Sequence, residues 1–185
     1  MLLHFHIQLA NITQPPVWRK VTVPATFSFA QFHLVIQRAF GWYNCHLYQF
    51  SEKGYDSDVF IGEPSPDDFG EVKDSWKIKL SKVFTRKGQK YIYIYDFGDD
   101  WIHKITLENI EKIDAANADC IAGKGACPPE DCGGPWGYEA LKETLADPKH
   151  PEHTSMCEWL GLKKGKQWNA AAFDLEAAKE LVKDI

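Results

Sequence analysis

Residues 90–107, KYIYIYDFGDDWIHKITL, decide the fold. Tyr91, Tyr93 and Tyr95 fall on one face of an extended segment, and Ile92 and Ile94 on the other. After Phe97-Gly98-Asp99-Asp100, the residues Trp101, His103, Ile105 and Leu107 again share a face. Period-two alternation of aromatic and β-branched residues predicts two strands joined by a tight acidic turn. Asp96, Asp99, Asp100 and His103 gather at that turn, so function is expected near this hairpin.

Toward the N-terminus the alternation repeats. Leu3, Phe5, Ile7 and Leu9 make one apolar face, with His4, His6 and Gln8 opposite, which predicts a half-buried strand. Pro15-Pro16 forms a stiff connection to a second strand over 17–23, ended by Pro24. A helix follows: Ser28 and Gln31 have capping-box spacing, and Phe27 and Phe32 are placed for a hydrophobic staple. Phe29, Phe32, Val35, Ile36, Ala39 and Phe40 are its apolar face, and Gly41 its stop. Short strands are expected at 46–50, 58–61 and 76–80, an exposed loop over 62–74 and a helical turn at 81–85.

Beyond the hairpin the pattern is lost over 115–134, a stretch with three cysteines, four glycines and Pro128-Pro129 that reads as an irregular loop. Helices are predicted over 135–146 and from Pro151 to the stop at Gly161. A last one begins near Asp174, with Leu175, Ala178, Leu181 and Val182 inward. Strands dominate the first two thirds and helices the last third. The expected class is α+β: an antiparallel or mixed sheet built from hairpins, one N-terminal helix and a C-terminal helical segment, in one domain over 1–185.

Composition narrows the function classes. The chain has 185 residues, 44% hydrophobic and 14% aromatic. No run of eighteen apolar residues predicts a membrane span. The opening MLLHFHIQLA alternates instead of forming an export signal. Five cysteines, an odd number, point to reduced thiols in a cytoplasm. The first 51 residues hold Arg19, Lys20 and Arg38 and no carboxylate. With +3 there and −5 overall, the remainder carries −8. That balance argues against a protein that coats DNA through a basic face.

Three blocks carry a resemblance. The first is Pro15-Pro16-Val17-Trp18-Arg19-Lys20 with Val23-Pro24, Gly41-Trp42 and His46-Leu47. The second is Tyr95-Asp96-Phe97-Gly98-Asp99-Asp100-Trp101 with His103. The third is Cys127-Pro128-Pro129-Glu130-Asp131, Gly133-Gly134 and Gly137-Tyr138, then Asp147-Pro148 and His150-Pro151-Glu152-His153. In this order and spacing they resemble the plasmid pRiA4b ORF-3-like proteins over nearly the whole chain. The resemblance implies an α+β fold and a prokaryotic origin, with some members on plasmids or insertion elements. It implies no particular reaction. The family's pattern is commonly apolar at the position of Cys132, which argues against a cysteine-based site there.

Two candidate sites follow. Asp99, Asp100, His103, Glu130, Asp131, His150 and His153, with Asp96, offer mixed nitrogen and oxygen ligands for a divalent metal such as zinc or manganese, whose bound water would act as nucleophile. The bland alternatives are turn chemistry for the aspartates and helix capping for Glu130 and Asp131. Separately, Trp18, Arg19, Lys20 and Trp42 are expected to form an aromatic and basic contact surface for a protein or nucleic-acid partner. The cysteines lack zinc-ribbon spacing. Asp96-Phe97-Gly98 echoes a kinase magnesium motif, but the chain has no glycine-rich phosphate loop. The expected function is a binding or interaction module, with an association to mobile elements implied by the resemblance. The alternative is a metal-dependent hydrolase centred on the acidic turn.

Overall fold

The alternating stretches assemble into one mixed sheet. This computed structural model describes residues 1–66, 70–163 and 166–185. Its strands are β1 (Leu2–Thr13), β2 (Pro16–Pro24), β3 (Tyr48–Ser51), β4 (Val59–Gly62), β5 (Glu71–Asp74), β6 (Lys90–Tyr95), β7 (Trp101–Glu111) and β8 (Asp119–Lys124). They lie in the order β5-β4-β3-β6-β7-β1-β2-β8. Only β4 and β5 run parallel; every other neighbouring pair is antiparallel. The α+β expectation holds.

The helices are α1 (Phe29–Phe40), α2 (Leu80–Val83), α3 (Gly134–Ala146), α4 (His153–Trp159) and α5 (Leu175–Val182). Helix α1 starts on the expected capping box, Ser28 with Gln31, and stops at Gly41 with φ +100°. It covers the sheet face that carries Phe5, Phe50, Tyr93 and His103. Phe32 lies 4.6 Å from Phe5 and Phe29 lies 5.0 Å from Phe50, ring to ring. The opposite face keeps His6, Trp18 and Lys20 half-buried, with Lys20 paired to Glu108 at 2.7 Å.

Three short segments depart from expectation. The 62–74 loop contains edge strand β5; residues 67–69 of that loop lie outside the described residues. The 115–134 loop contains β8, whose partner β2 supplies a pairing that periodicity does not encode. Residues 76–80 alternate but form no strand. Their backbone, with that of Ser75, serves α1 instead: Phe29 and Ala30 N–H donate to the Ile78 and Ser75 carbonyls at 3.0 and 3.1 Å. The first N–H groups of a helix lack partners within it, so an extended segment laid across that end is stabilised without joining the sheet.

Arg19 is the largest departure. It is 2% exposed, so it forms no contact surface. Nε donates to the Ala39 carbonyl at 2.8 Å. Nη1 donates to the Trp18 and Lys124 carbonyls at 2.8 and 2.9 Å, and Nη2 to Gly125 at 3.1 Å. The Phe40 and Phe173 rings flank the guanidinium at 4.9 and 4.0 Å. A lysine ammonium cannot span that fork. Arg19→Lys is therefore expected to lose about 2 kcal/mol or more, because carbonyls lose their donors in a dry place. The urea midpoint of the variant against the parent chain checks this.

Candidate functional site

Three loops meet at one end of the sheet. Tyr48 pairs with Tyr95, and Tyr95 with Trp101, so the register brings loop 42–47, turn 96–100 and their strands together. Asp96 N–H donates to the Leu47 carbonyl at 2.9 Å and joins the first two. Segment 125–133, between β8 and α3, arrives from the β8 edge of the sheet. Trp42 Nε1 holds it through the Pro128 carbonyl at 2.9 Å. Asp99 Oδ2 accepts from Gly133 N–H at 3.1 Å. Gly134, at φ +66°, packs so closely that a Cβ would stand 2.5 Å from the Asp99 carbonyl oxygen.

Where the loops meet, four side chains converge. His46 Nε2 lies 3.2 Å from Asp131 Oδ1, 3.5 Å from Asp96 Oδ2 and 3.9 Å from Glu130 Oε2. None of these is an aligned hydrogen bond: His46 Nε2 and Glu130 Oε2 are buried atoms without a hydrogen-bond partner. The outer oxygens are occupied. Asp96 Oδ1 accepts from Gly98 and Asp99 N–H at 2.9 and 3.3 Å. Glu130 Oε1 accepts from Tyr43 N–H at 2.9 Å and from the Tyr95 hydroxyl at 3.0 Å. Burial pushes the Tyr95 phenol well above its ordinary value, so it stays a donor. The side chains of Asp96 and Glu130 are each only 10% exposed, and that of Asp131 is 72% exposed. Among the described residues, no lysine or arginine pairs with these three carboxylates.

The backbone is fixed to match. Asn44, Asp96, Asp100 and Asp131 all have φ between +53° and +58°. Asn and Asp tolerate this conformation better than other residues with a Cβ. Beneath the site, His33 Nδ1 and the Tyr93 hydroxyl lie 2.8 Å apart, and His33 Nε2 faces Asn44 Oδ1. Gln37 Nε2 donates to the Tyr93 hydroxyl at 2.9 Å, and its Oε1 accepts from Asn44 N–H at 3.0 Å. This network ties loop 42–47 to α1 and β6.

The sequence candidates are scattered by this geometry. Glu130 and Asp131 stand in the cluster with His46 and Asp96. Asp99 serves the glycine turn, and Asp100 accepts a hydrogen bond from the Tyr55 hydroxyl. His103 is fully buried in the core, 5.0 Å from the Phe40 ring, with Nδ1 facing the Trp101 carbonyl at 2.8 Å. His150 Nδ1 accepts from Glu152 N–H, and His153 lines a cleft with Leu145, Cys157 and Trp168. Among the described residues, none of Asp99, Asp100, His103, His150 and His153 joins a group of three or more potential ligands. The expected contact surface divides likewise. Arg19 and Trp42 are buried on the helix-covered face, and Trp18 and Lys20 lie on the other. His46 carried no periodic signal. It falls in the closing His46-Leu47 pair of the first of the three sequence blocks, as Asp96 opens the turn of the second and Glu130-Asp131 falls in the third.

Fold and loops together define an α+β chain whose three sequence blocks close around one cluster. The chain belongs to the plasmid pRiA4b ORF-3-like protein family, whose pattern matches residues 1–177. It is 36% identical over 174 residues to the uncharacterized protein y4hQ of Sinorhizobium fredii, covering 93% of this chain and 86% of that one. It is also similar to the crystal structure of MM3350, a protein of unknown function from Methanosarcina mazei. That match has a TM-score of 0.79 and 34% identity, and covers 95% of this chain and 96% of the other.

Burial gives the support layer a pH signature. It holds His103 down to about 3 and His33 to about 4, against an ordinary 6.5. Below 6.5 the unfolded chain takes up protons that the folded chain refuses. Stability is full above that value and falls as pH drops toward 4, by up to about 1.4 kcal/mol per unit for each histidine. Urea midpoints measured between about pH 7 and pH 4 should fall steadily, and His103→Phe should flatten part of that slope.

Proposed function

We propose that this chain is a divalent-metal protein. The ligands are His46 Nε2, Asp96 Oδ2, Glu130 Oε2 and Asp131 Oδ1, and metal-assisted hydrolysis is the reaction class the set fits. One observation carries it: a buried, unpartnered imidazole nitrogen faces three carboxylate oxygens at 3.2–3.9 Å, one of them also unpartnered. Ligands about 2.0–2.2 Å from a tetrahedral ion stand about 3.3–3.6 Å from one another. The His46 distances to Asp131 and Asp96 lie close to that spacing and the distance to Glu130 is a little longer, which suits ligands of an ion better than a set of aligned hydrogen bonds. One nitrogen with three oxygens suits zinc, manganese or iron(II). Such an ion lowers the pKa of a bound water toward neutrality. Asp131 marks the solvent side, where a water or substrate would enter. Glu130, held by Tyr95 and the Tyr43 backbone, is the fixed wall.

A second reading has its own support. Tyr43, Leu47, Phe97 and Trp136 are all exposed, and they lie on the loops around the cluster or in the first turn of α3. Exposed aromatic side chains favour an interaction module with a protein partner. The acidic cluster and the charge of −5 disfavour nucleic acid. No helix among the described residues is long and apolar enough to cross a membrane. Five free cysteines accord with a reducing, cytoplasmic setting, and one sheet joining strands from residue 2 to residue 124 accords with a single domain. An association with plasmids or other mobile elements rests on the family's genomic setting alone.

Elemental analysis after dialysis against zinc or manganese tests the metal reading. The parent chain should retain about one ion per chain. His46→Ala and Glu130→Gln should lose it, while His153→Ala keeps it. No retained ion in the folded parent chain, with zinc, manganese and iron(II) each supplied, would overturn the proposal.

A further inference from the structure

We infer that Cys45 is a further ligand of this centre and that its sulfur decides which metal the centre holds. This rests on the metal reading above. The Cys45 Sγ, a His46 ring nitrogen and a Glu130 carboxylate oxygen lie within 4.8 Å of one another. A second group, His46 with Asp96 and Asp131, meets the same limit. The two groups share His46, so the cluster has an oxygen end and a sulfur end around one imidazole.

The sulfur end is built independently of the aspartates. Cys45 N–H donates to the Tyr95 hydroxyl at 3.0 Å, and Sγ lies 3.8 Å from the same hydroxyl. That hydroxyl donates to Glu130 Oε1. Tyr95 thus holds the cysteine and the glutamate in one frame. Glu130 is nine-tenths buried and its Oε2 has no hydrogen-bond partner. That oxygen is free to take a ligand, and the thiol lies within 4.8 Å of the same carboxylate. Hard ions such as manganese and magnesium prefer the oxygen end; zinc and cobalt(II) accept thiolate. With Cys45 in the set, the centre selects zinc over manganese. Cys45 is exposed, so its replacement disturbs no core packing.

Cobalt(II) is the probe, added to the reduced parent chain and to Cys45→Ser. Visible d–d bands report that the ion is bound, and a near-ultraviolet sulfur-to-cobalt charge-transfer band reports a thiolate ligand. Both are expected in the parent chain. The variant should keep the d–d bands and lose the charge-transfer band. Its zinc affinity should fall by at least about tenfold while manganese affinity stays within about twofold. Cobalt bound to the parent chain without the charge-transfer band would overturn the inference and leave the metal reading standing. A charge-transfer band that persists in Cys45→Ser would overturn it by assigning the thiolate elsewhere. No cobalt bound to the parent chain, with zinc and manganese also excluded, would remove the metal reading and this inference together.

Discussion

The site depends on the way a single buried guanidinium is satisfied. Arg19 finds no carboxylate; it meets four main-chain carbonyls from three parts of the chain. A cation at the C-terminal end of a helix is favoured by the helix dipole, and Ala39 belongs to the last turn of α1. Lys124 closes β8 and Gly125 follows it. So the residue that caps α1 also fixes where segment 125–133 departs. Gly125 sits tightly there, since a Cβ would come within 2.6 Å of the Pro16 carbonyl oxygen. Loop 42–47 leaves α1 two residues beyond Phe40. Two of the three loops that build the cluster therefore start from points that Arg19 holds.

The third loop is set by strand register, and the hydroxyls of β6 carry that register into the site. Tyr93 and Tyr95 point into the same core face, as period-two geometry requires. Tyr93 meets His33 and Gln37, and Tyr95 meets Cys45 and Glu130. A buried tyrosine with a satisfied hydroxyl contributes apolar area and one fixed donor. Two of them, one pleat apart, convert a strand into a ruler that spaces α1, loop 42–47 and segment 125–133. Neutral His33 belongs to this device. Burial disfavours its charged form, and its ring lies 3.6 Å from Tyr48 in a parallel stack.

The long alternating strands and α1 were legible because each satisfies a local rule many times over. Leu3 to Leu9 repeats its face four times, and Ser28 with Gln31 is a local cap. β5 and β8 were not, because each is short and at the sheet edge, and the partner of β8, β2, is distant in sequence. Residues 76–80 misled by alternating correctly while hydrogen-bonding to a helix end. The site was half legible for the same reason. Glu130 and Asp131 stood out by charge, but nothing local says that they meet His46, which is 84 residues earlier in an unpatterned loop. His103 misled because a histidine beside three aspartates looks like a ligand. Its place in the Trp101, Ile105, Leu107 alternation put it in the core, and periodicity should have outweighed proximity. Arg19 and Trp42 misled similarly, being polar or amphipathic side chains whose polar atoms find main-chain partners inside.

On the proposed metal reading, charge is the reason the cluster would take a cation rather than close into a network of its own. Oxygens of Asp96 and Asp131 lie within 4.8 Å of each other. At an effective dielectric of about 20 their repulsion is about 3 kcal/mol, and less after solvent screens the exposed Asp131. Glu130 adds a third carboxylate from the buried side. A protonated His46 would supply one positive charge against three, with a ring N–H that can point at only one oxygen. A divalent ion, as proposed above, would supply two charges without that directional limit and would take the His46 Nε2 lone pair together with carboxylate oxygens. The same comparison accounts for the hydrogen bonds that the cluster does make. Every one of them goes to an outer oxygen, Asp96 Oδ1 or Glu130 Oε1, and comes from the Gly98, Asp99 and Tyr43 N–H groups and the Tyr95 hydroxyl. Those donors hold Asp96 and Glu130 by their outer oxygens, and the inner oxygens of both, with Asp131 Oδ1, are left facing His46 Nε2 at 3.2–3.9 Å.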